Sequence, residues 1–295
     1  MLMTCVGCVQ SVGGARRVVI AVLGLVLCIL AGRSACLGQV LVDDRWADGS
    51  RSESNRPAEA AVWVGREDDV AVANGVLSTK LGETSQKIWS YVADEPVTLA
   101  VGQKLTASVS FIPRGALAET SSRSFRLGLF HDPTDPRVES DVNNDGGGAG
   151  APWTDAQGYA VQMLFTGGEY ASTKPFDLGK RHNLEGPSLL GTSGDYVKMS
   201  GGTSTTLELD KEYRLTLEVS RASETQIDLT ASLYAGEEEL ATWSVSDDGS
   251  WLGDAAVYDR FDMLFIRIAD NTTTADQIDF TNFKVELTGT AKPAE

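Results

Sequence analysis

Hydrophobic alternation with a period of two, repeated in segment after segment, limits this chain more than any other feature. Successive side chains of a strand point to opposite faces, so an alternating run suits a half-buried strand and defeats a helix. The pattern runs through Val70–Lys80, Lys87–Ala93, Lys104–Pro113, Ser124–Phe130 and Gly158–Phe165. It resumes in Glu212–Arg221, Gln226–Gly236, Ala241–Asp247, Phe261–Ala269 and Ile278–Leu287. Gly, Asp, Asn, Ser and Pro bound these runs, and no amphipathic helix longer than two turns interrupts them. The series predicts an all-β chain, a two-sheet antiparallel jelly-roll sandwich. No Pro/Ser-rich linker divides it, so residues 39–295 read as a single domain.

The first 38 residues read differently. Arg16 and Arg17 precede the apolar run Val18–Gly32, and small residues follow before a cut expected after Gly38. That order describes a secretory signal peptide and predicts a secreted or periplasmic product. An uncleaved N-terminal anchor and a lipidated Cys36 are the alternatives, although the run is shorter than the roughly 20 residues of a membrane span.

Cys5, Cys8, Cys28 and Cys36 all lie in that leader. Beyond it no disulfide, thiolate metal site or cysteine nucleophile is available, and the core alone must hold the fold. The leader carries Arg16, Arg17 and Arg33 and no acid, so the net charge of −16 falls to −19 without it. Such a surface argues against nucleic acid and anionic lipid, which reward clustered Lys and Arg. It leaves polysaccharide and cations as partners, and no membrane contact once the leader is gone; the oligomeric state stays open.

The opening VDDRWADGSR, the SFRLGLFHD strand, a Gly/Asn-rich loop entering GYAVQMLF, the pair YRLTLEVSR and IDLTASLYAG, and the terminal FDMLFIRIA and IDFTNFKVEL occur in that order. This order resembles the concanavalin A-like lectin/glucanase jelly roll, above all in exported proteins of uncharacterised role from planctomycete- and verrucomicrobia-type bacteria. The resemblance implies the fold. It leaves function open, since that fold carries lectins, glycosidases, lyases and adhesive modules.

The loop DVNNDGGGAG, Asp141–Gly150, invites two chemical readings. Oxygen donors at Asp141, Asn143 and Asp145 followed by glycine begin like a calcium loop. Pro152 then stands where the closing bidentate Glu belongs, so calcium is a cofactor expectation resting on these three residues and on donors from elsewhere. The catalytic reading pairs Glu139 with Asp141, as a laminarinase-like strand would by resemblance, but Asn143 breaks the series of carboxylates that retaining hydrolysis needs. His131 and His182, with Arg126, Gln162 and Tyr159, form a conceivable lyase set, against which stands the solvated-loop reading of both histidines.

For binding, Arg126 and Gln162 should leave one sheet face together, with small Gly128 and Ala160 leaving room beside them. Tyr159 joins them as a ligand-binding candidate. Trp153, between Pro152 and Thr154 in a loop, is the expected stacking platform for a sugar, whereas Trp63, Trp243 and Trp251 are expected to pack. The combined expectation is an exported, non-catalytic module that binds carbohydrate or associates with a cell surface or matrix. Its rivals are a polysaccharide-active hydrolase or lyase, and an adhesion protein with no small ligand.

Overall fold

The computed structural model describes residues 38–117, 125–133, 136–142, 153–163, 175–186, 189–190, 195–203, 207–252, 256–269 and 274–291. They belong to one compact unit, Gly38–Glu295. The strands are β1 (Gln39–Asp44), β2 (Trp63–Val64), β3 (Val70–Ala73), β4 (Val76–Lys80), β5 (Gln86–Tyr91), β6 (Val97–Thr98), β7 (Gln103–Leu117), β8 (Phe125–His131) and β9 (Gln157–Met163). They continue with β10 (Pro175–Arg181), β11 (Tyr196–Thr203), β12 (Tyr213–Ser223), β13 (Gln226–Ala235), β14 (Glu238–Asp247), β15 (Arg260–Phe261), β16 (Met263–Ile268) and β17 (Ala275–Gly289). Among the described residues helical geometry is confined to short 3-10 turns such as Glu67–Asp69 and Ser250–Leu252, and no helix is long and apolar enough to cross a membrane.

Fifteen of the strands form two antiparallel sheets, as the alternation predicts, and β6 and β15 pair with each other alone. The eight-stranded sheet runs β14-β13-β12-β7-β17-β4-β3, with β1 also paired to β17; the seven-stranded sheet runs β11-β10-β9-β8-β16-β5-β2. Between them lies a core in which each strand spends every second residue. Leu105, Ala107, Val109 and Phe111 of β7 and Leu215, Leu217 and Val219 of β12 meet Phe125, Leu127 and Leu129 of β8 and Leu264, Ile266 and Ile268 of β16. Phe111 and Phe125 stack across the layers at 4.9 Å.

Two departures from the sequence reading have local causes. Val70–Lys80 is a hairpin and not one strand: Asn74 and Gly75 take φ of 54° and 73°, the left-handed pair that a two-residue turn requires and that Asn-Gly supplies. Strands β10 and β11 escape the alternation test because PFDLGKR and YVKMSGGT place charges and glycines where apolar residues would mark a buried strand.

The seven-stranded sheet is covered on its outer face as well. Trp89 and Tyr91 of β5, Phe130 of β8, Ala160 of β9 and Met263 and Phe265 of β16 form a second apolar cluster there, closed by Trp153, Ala156, Leu189, Leu190 and Tyr196. An antiparallel sheet ordinarily leaves one face to water. Here loops take that face, which explains why β5, β8 and β9 are buried almost throughout.

Candidate functional site

Arg126 and Gln162, paired on paper from sequence, are cross-strand partners on β8 and β9. They belong to a transverse row on the outer face: Lys87, Arg267, Arg126, Gln162 and Asp177, one from each of five successive strands. Strands lie about 4.8 Å apart, so three cations stand side by side in a protein of net charge −16. The row is a mount for a loop and not an open groove. The guanidinium groups of Arg126 and Arg267 both donate to the Leu190 carbonyl, Asp177 pairs with Lys198 at 2.7 Å, and Arg126 and Gln162 are 9% and 5% exposed.

The room expected beside that pair is filled. A Cβ at Gly128 would fall 2.3 Å from the Phe130 ring, so glycine is there to let the ring fold over its own strand. Trp153 is fully buried and no platform. Its ring meets Trp89 and Phe265 edge-on at 5.1 Å each, covering what would otherwise be an exposed aromatic patch. Arg181 clamps the loop from beneath, donating to the carbonyls of Trp153, Ala156 and Gly186 at 2.8 to 2.9 Å. Tyr159 is separated from both: one residue away from Ala160, it faces the interior of the sandwich.

At the opposite end of the face, Tyr91 donates to Asp132 at 2.6 Å and Arg137 to Asp262 at 3.0 Å, with His131 Nδ1 3.4 Å from Asp262. His131 sits five residues along β8 from Arg126, about 17 Å at strand rise, and His182 is exposed at the end of β10. The lyase set is therefore dispersed. Asp141 accepts two hydrogen bonds from Arg51, at 2.9 and 2.5 Å, and one from the Val64 amide at 2.8 Å, so three of its roughly four lone-pair sites are taken. Asn143 and Asp145 lie outside the described residues. A different carboxylate trio, Asp48, Glu53 and Glu59, has oxygens within 4.8 Å of one another.

Among the described residues two cavities of similar size stand open, one of about 490 Å³ beside Arg56 and Asp94 and one of about 520 Å³ lined by Glu224, Thr225, Asp248, Gly249, Ala256, Val257 and Asp259; the second gathers the carboxylates. Glu224 and Thr225 come from the β12–β13 turn, and the others from the segment between β14 and β15. Arg221 fixes two of the acids, bonding Glu224 at 2.8 Å and Asp259 at 2.7 Å. The Ser250 hydroxyl and amide hold the Asp248 carboxyl below the usual carboxylate range. The carboxylates of Glu224, Asp248 and Asp259, the Thr225 hydroxyl and the apolar side chains of Ala256 and Val257 thus line one cavity, a more polar wall than that of most small-molecule sites.

A buried polar network sets the shape of that cavity. Lys180 of β10 and Asp247 at the end of β14 pair at 2.8 Å with neither side chain exposed. Tyr159 donates to Asp247 at 2.6 Å; burial, then the Asp247 charge, pushes its phenol far above the ordinary tyrosine range, so it stays a donor. Each member also holds the cavity wall: Asp247 accepts from the Gly249 amide at 3.0 Å, Lys180 donates to the Ala256 carbonyl at 2.9 Å, and the Tyr258 amide donates to the Tyr159 hydroxyl at 2.9 Å. Sequence reasoning passed over Lys180 and Asp247. Asp247 carried a signal, since it takes an inward position at the end of the alternating run Ala241–Asp247, where a charge demands a partner; Lys180 carried none, because β10 escapes the alternation test.

Trp243 and Trp251, expected to pack, are each 38% exposed. They stand along the seam where β14 and β11, the edge strands of the two sheets, meet.

No family model and no curated protein sequence matches this chain. Among solved structures, the Emp47p carbohydrate recognition domain is similar at 6% identity and a TM-score of 0.50, covering 88% of this chain and 99% of that one. The metal-free VIP36 exoplasmic/lumenal domain gives 10% identity, 88% and 100% coverage and a TM-score of 0.49. The winged bean acidic lectin complexed with methyl-α-D-galactose gives 11%, 86% and 100%, and 0.46. At such identities the likeness is one of fold alone: the chain has a two-sheet antiparallel jelly-roll fold of the concanavalin A-like kind.

Proposed function

We propose that this protein is an exported, non-catalytic carbohydrate-binding module that holds a neutral sugar in the cavity bounded by the β12–β13 turn and by Asp248, Gly249, Ala256, Val257 and Asp259. The observation that carries the reading is the cavity's make-up: the acceptors Glu224, Asp248 and Asp259 line it together with the apolar Ala256 and Val257. Sugar hydroxyls donate to carboxylates while the ring's apolar face lies on aliphatic side chains. Acidic glycans are disfavoured by like charge. Asp248, held ionised by the Ser250 hydroxyl and amide, accepts hydrogen bonds from sugar hydroxyls. The leader of residues 1–38 supports export.

A polysaccharide array probed with the purified protein, with and without calcium and coupled to reducing-sugar and unsaturated-product assays, tests the proposal. The expected result is binding of a neutral glycan with no product, weakened about tenfold by Asp259→Asn, the loss of roughly one charge-assisted hydrogen bond. Turnover, or binding indifferent to Asp259→Asn and Asp248→Asn alike, refutes it. The calcium arm reads the Asp48, Glu53 and Glu59 trio, since Asp141 is already engaged by Arg51.

A further inference from the structure

The β11–β14 seam carries a feature that the cavity does not explain. Trp243 lies flat over β11: a Cβ on Gly202 would come 2.6 Å from its Cε3 atom, and its Nε1 donates to the Ser200 hydroxyl. Trp251, in the turn that follows β14, donates its Nε1 to the Ser246 carbonyl at 3.0 Å. Strand β14 pairs with β13 alone, so that carbonyl faces the free edge, and Trp251 lies along the edge itself. Both indoles are tethered through their polar atom, and both still expose more than a third of their surface.

A structural role accounts for part of this. Covering an edge strand suppresses pairing with another chain, and Trp243 fills the seam opposite a glycine. That role is served best by burying the rings, and charged or small residues guard an edge at less cost in exposed apolar area. Ser246 is three residues beyond Trp243, about 10 Å at strand rise, so the points at which β14 carries the one indole and tethers the other are separated along the strand. Ser244 and Ser246 of the same strand project to the opposite face, where their hydroxyls bond Thr230 at 2.8 Å and Asp228 at 2.7 Å, so the indoles, and not these hydroxyls, are presented at the seam. Two fixed, part-exposed aromatic rings spaced along one strand suit successive rings of one glycan chain, each sugar stacking its apolar face while its hydroxyls stay in water.

We infer that Trp243 and Trp251 form a stacking rail for an extended neutral polysaccharide, leading along β14 toward the cavity that begins at Asp248. The inference rests on the carbohydrate-binding reading above and deepens it: the ligand is a chain, with the cavity taking one end and the rail its continuation. Tethered rings lose little freedom on binding, which favours such a surface.

The test compares wild type with Trp243→Ala, Trp251→Ala and the double variant, using amorphous cellulose, β-1,3-glucan and mannan as polymers and short oligosaccharides of the same linkages as controls. Trp243→Phe and Trp251→Phe retain a ring and serve as rescues. Retention on the polymer that wild type binds should weaken about tenfold for each alanine change, the scale of one lost aromatic contact, and recover in the phenylalanine variants. Oligosaccharide affinity should stay unchanged, which also shows that the variants fold. Polymer retention undiminished in the double variant, or polymer bound no better than oligosaccharide by wild type, overturns the rail and leaves the cavity standing. Equal weakening of polymer and oligosaccharide overturns the separation of rail from cavity. Absence of binding to every probe overturns both readings together.

Discussion

Replacing Lys180 with methionine removes the cation from the buried network and leaves the Asp247 carboxylate with two donors, the Tyr159 hydroxyl and the Gly249 amide. Methionine fills a similar volume, so the cost comes from uncompensated charge and not from a cavity. Breaking one side of a fully buried pair costs about 3–5 kcal/mol, and the loss of the donor to Ala256 is included in that figure. For a domain of this size each kcal/mol moves Tm by about 2–4 °C, so a fall of roughly 10 °C is expected by calorimetry. Lys180→Met/Asp247→Leu should recover part of the loss, since both charges are gone and what remains is an unpaired hydroxyl and amide. Amide exchange should quicken at Gly249 and Tyr258 in the single variant, because the network holds those two segments. A fall in Tm below about 2 °C would show that water reaches the pair, and the argument that it frames the cavity would be lost.

Further outcomes follow from the same contacts. Trp153→Ala should cost about 3–5 kcal/mol in denaturant unfolding, whereas Trp153→Phe should cost far less, because the buried indole N–H has no acceptor to lose. Asp279 sits below its ordinary value of 3.8: burial raises it, but hydrogen bonds from Ser78, Gln277 and Arg114 outweigh that. Its folded-state pKa is therefore depressed, its stabilisation is present above pH 3.8 and is lost as pH falls through the lower folded value, and Asp279→Asn should flatten that acid limb of a stability–pH curve. Asp141→Asn should cost about 1–2 kcal/mol through the loss of Arg51, while any change of Tm on adding calcium should be the same as in wild type; a calcium response abolished by this change would show that the ion displaces the guanidinium. Gly202→Val should push the Trp243 ring off β11 and raise its quenching by acrylamide; unchanged quenching would refute the close contact.

Much of the architecture is readable in the sequence because one force dominates it. Phe125, Leu127 and Leu129 alternate with Arg126, Gly128 and Phe130, and that pattern alone places the first set in the core between the sheets. The same rule pairs Arg126 with Gln162 on one face. It fails where a second layer covers the sheet, since alternation marks the two faces of a strand without saying which face meets water. Trp153 was misread for that reason: its loop position suggested exposure, but Trp89 and Phe265 on the outer face needed a cover. Trp243 was misread in the reverse sense, because an inward position on an edge strand lies at the mouth of the sandwich and not in its middle. The cavity was invisible because Glu224, Asp248 and Asp259 are ordinary turn residues whose convergence depends on Lys180, over 40 residues before the nearest of them.

The most direct test of the account follows backbone amide signals while a neutral oligosaccharide selected from the array is titrated in. Binding in the cavity predicts shifts at Thr225, Gly249 and Val257, with Gly128 and Ala160, beneath the Phe130 and Trp153 rings, unmoved. Shifts centred on Arg126, Gln162 and Leu190 instead would place the sugar on the covered face of the seven-stranded sheet and contradict the account.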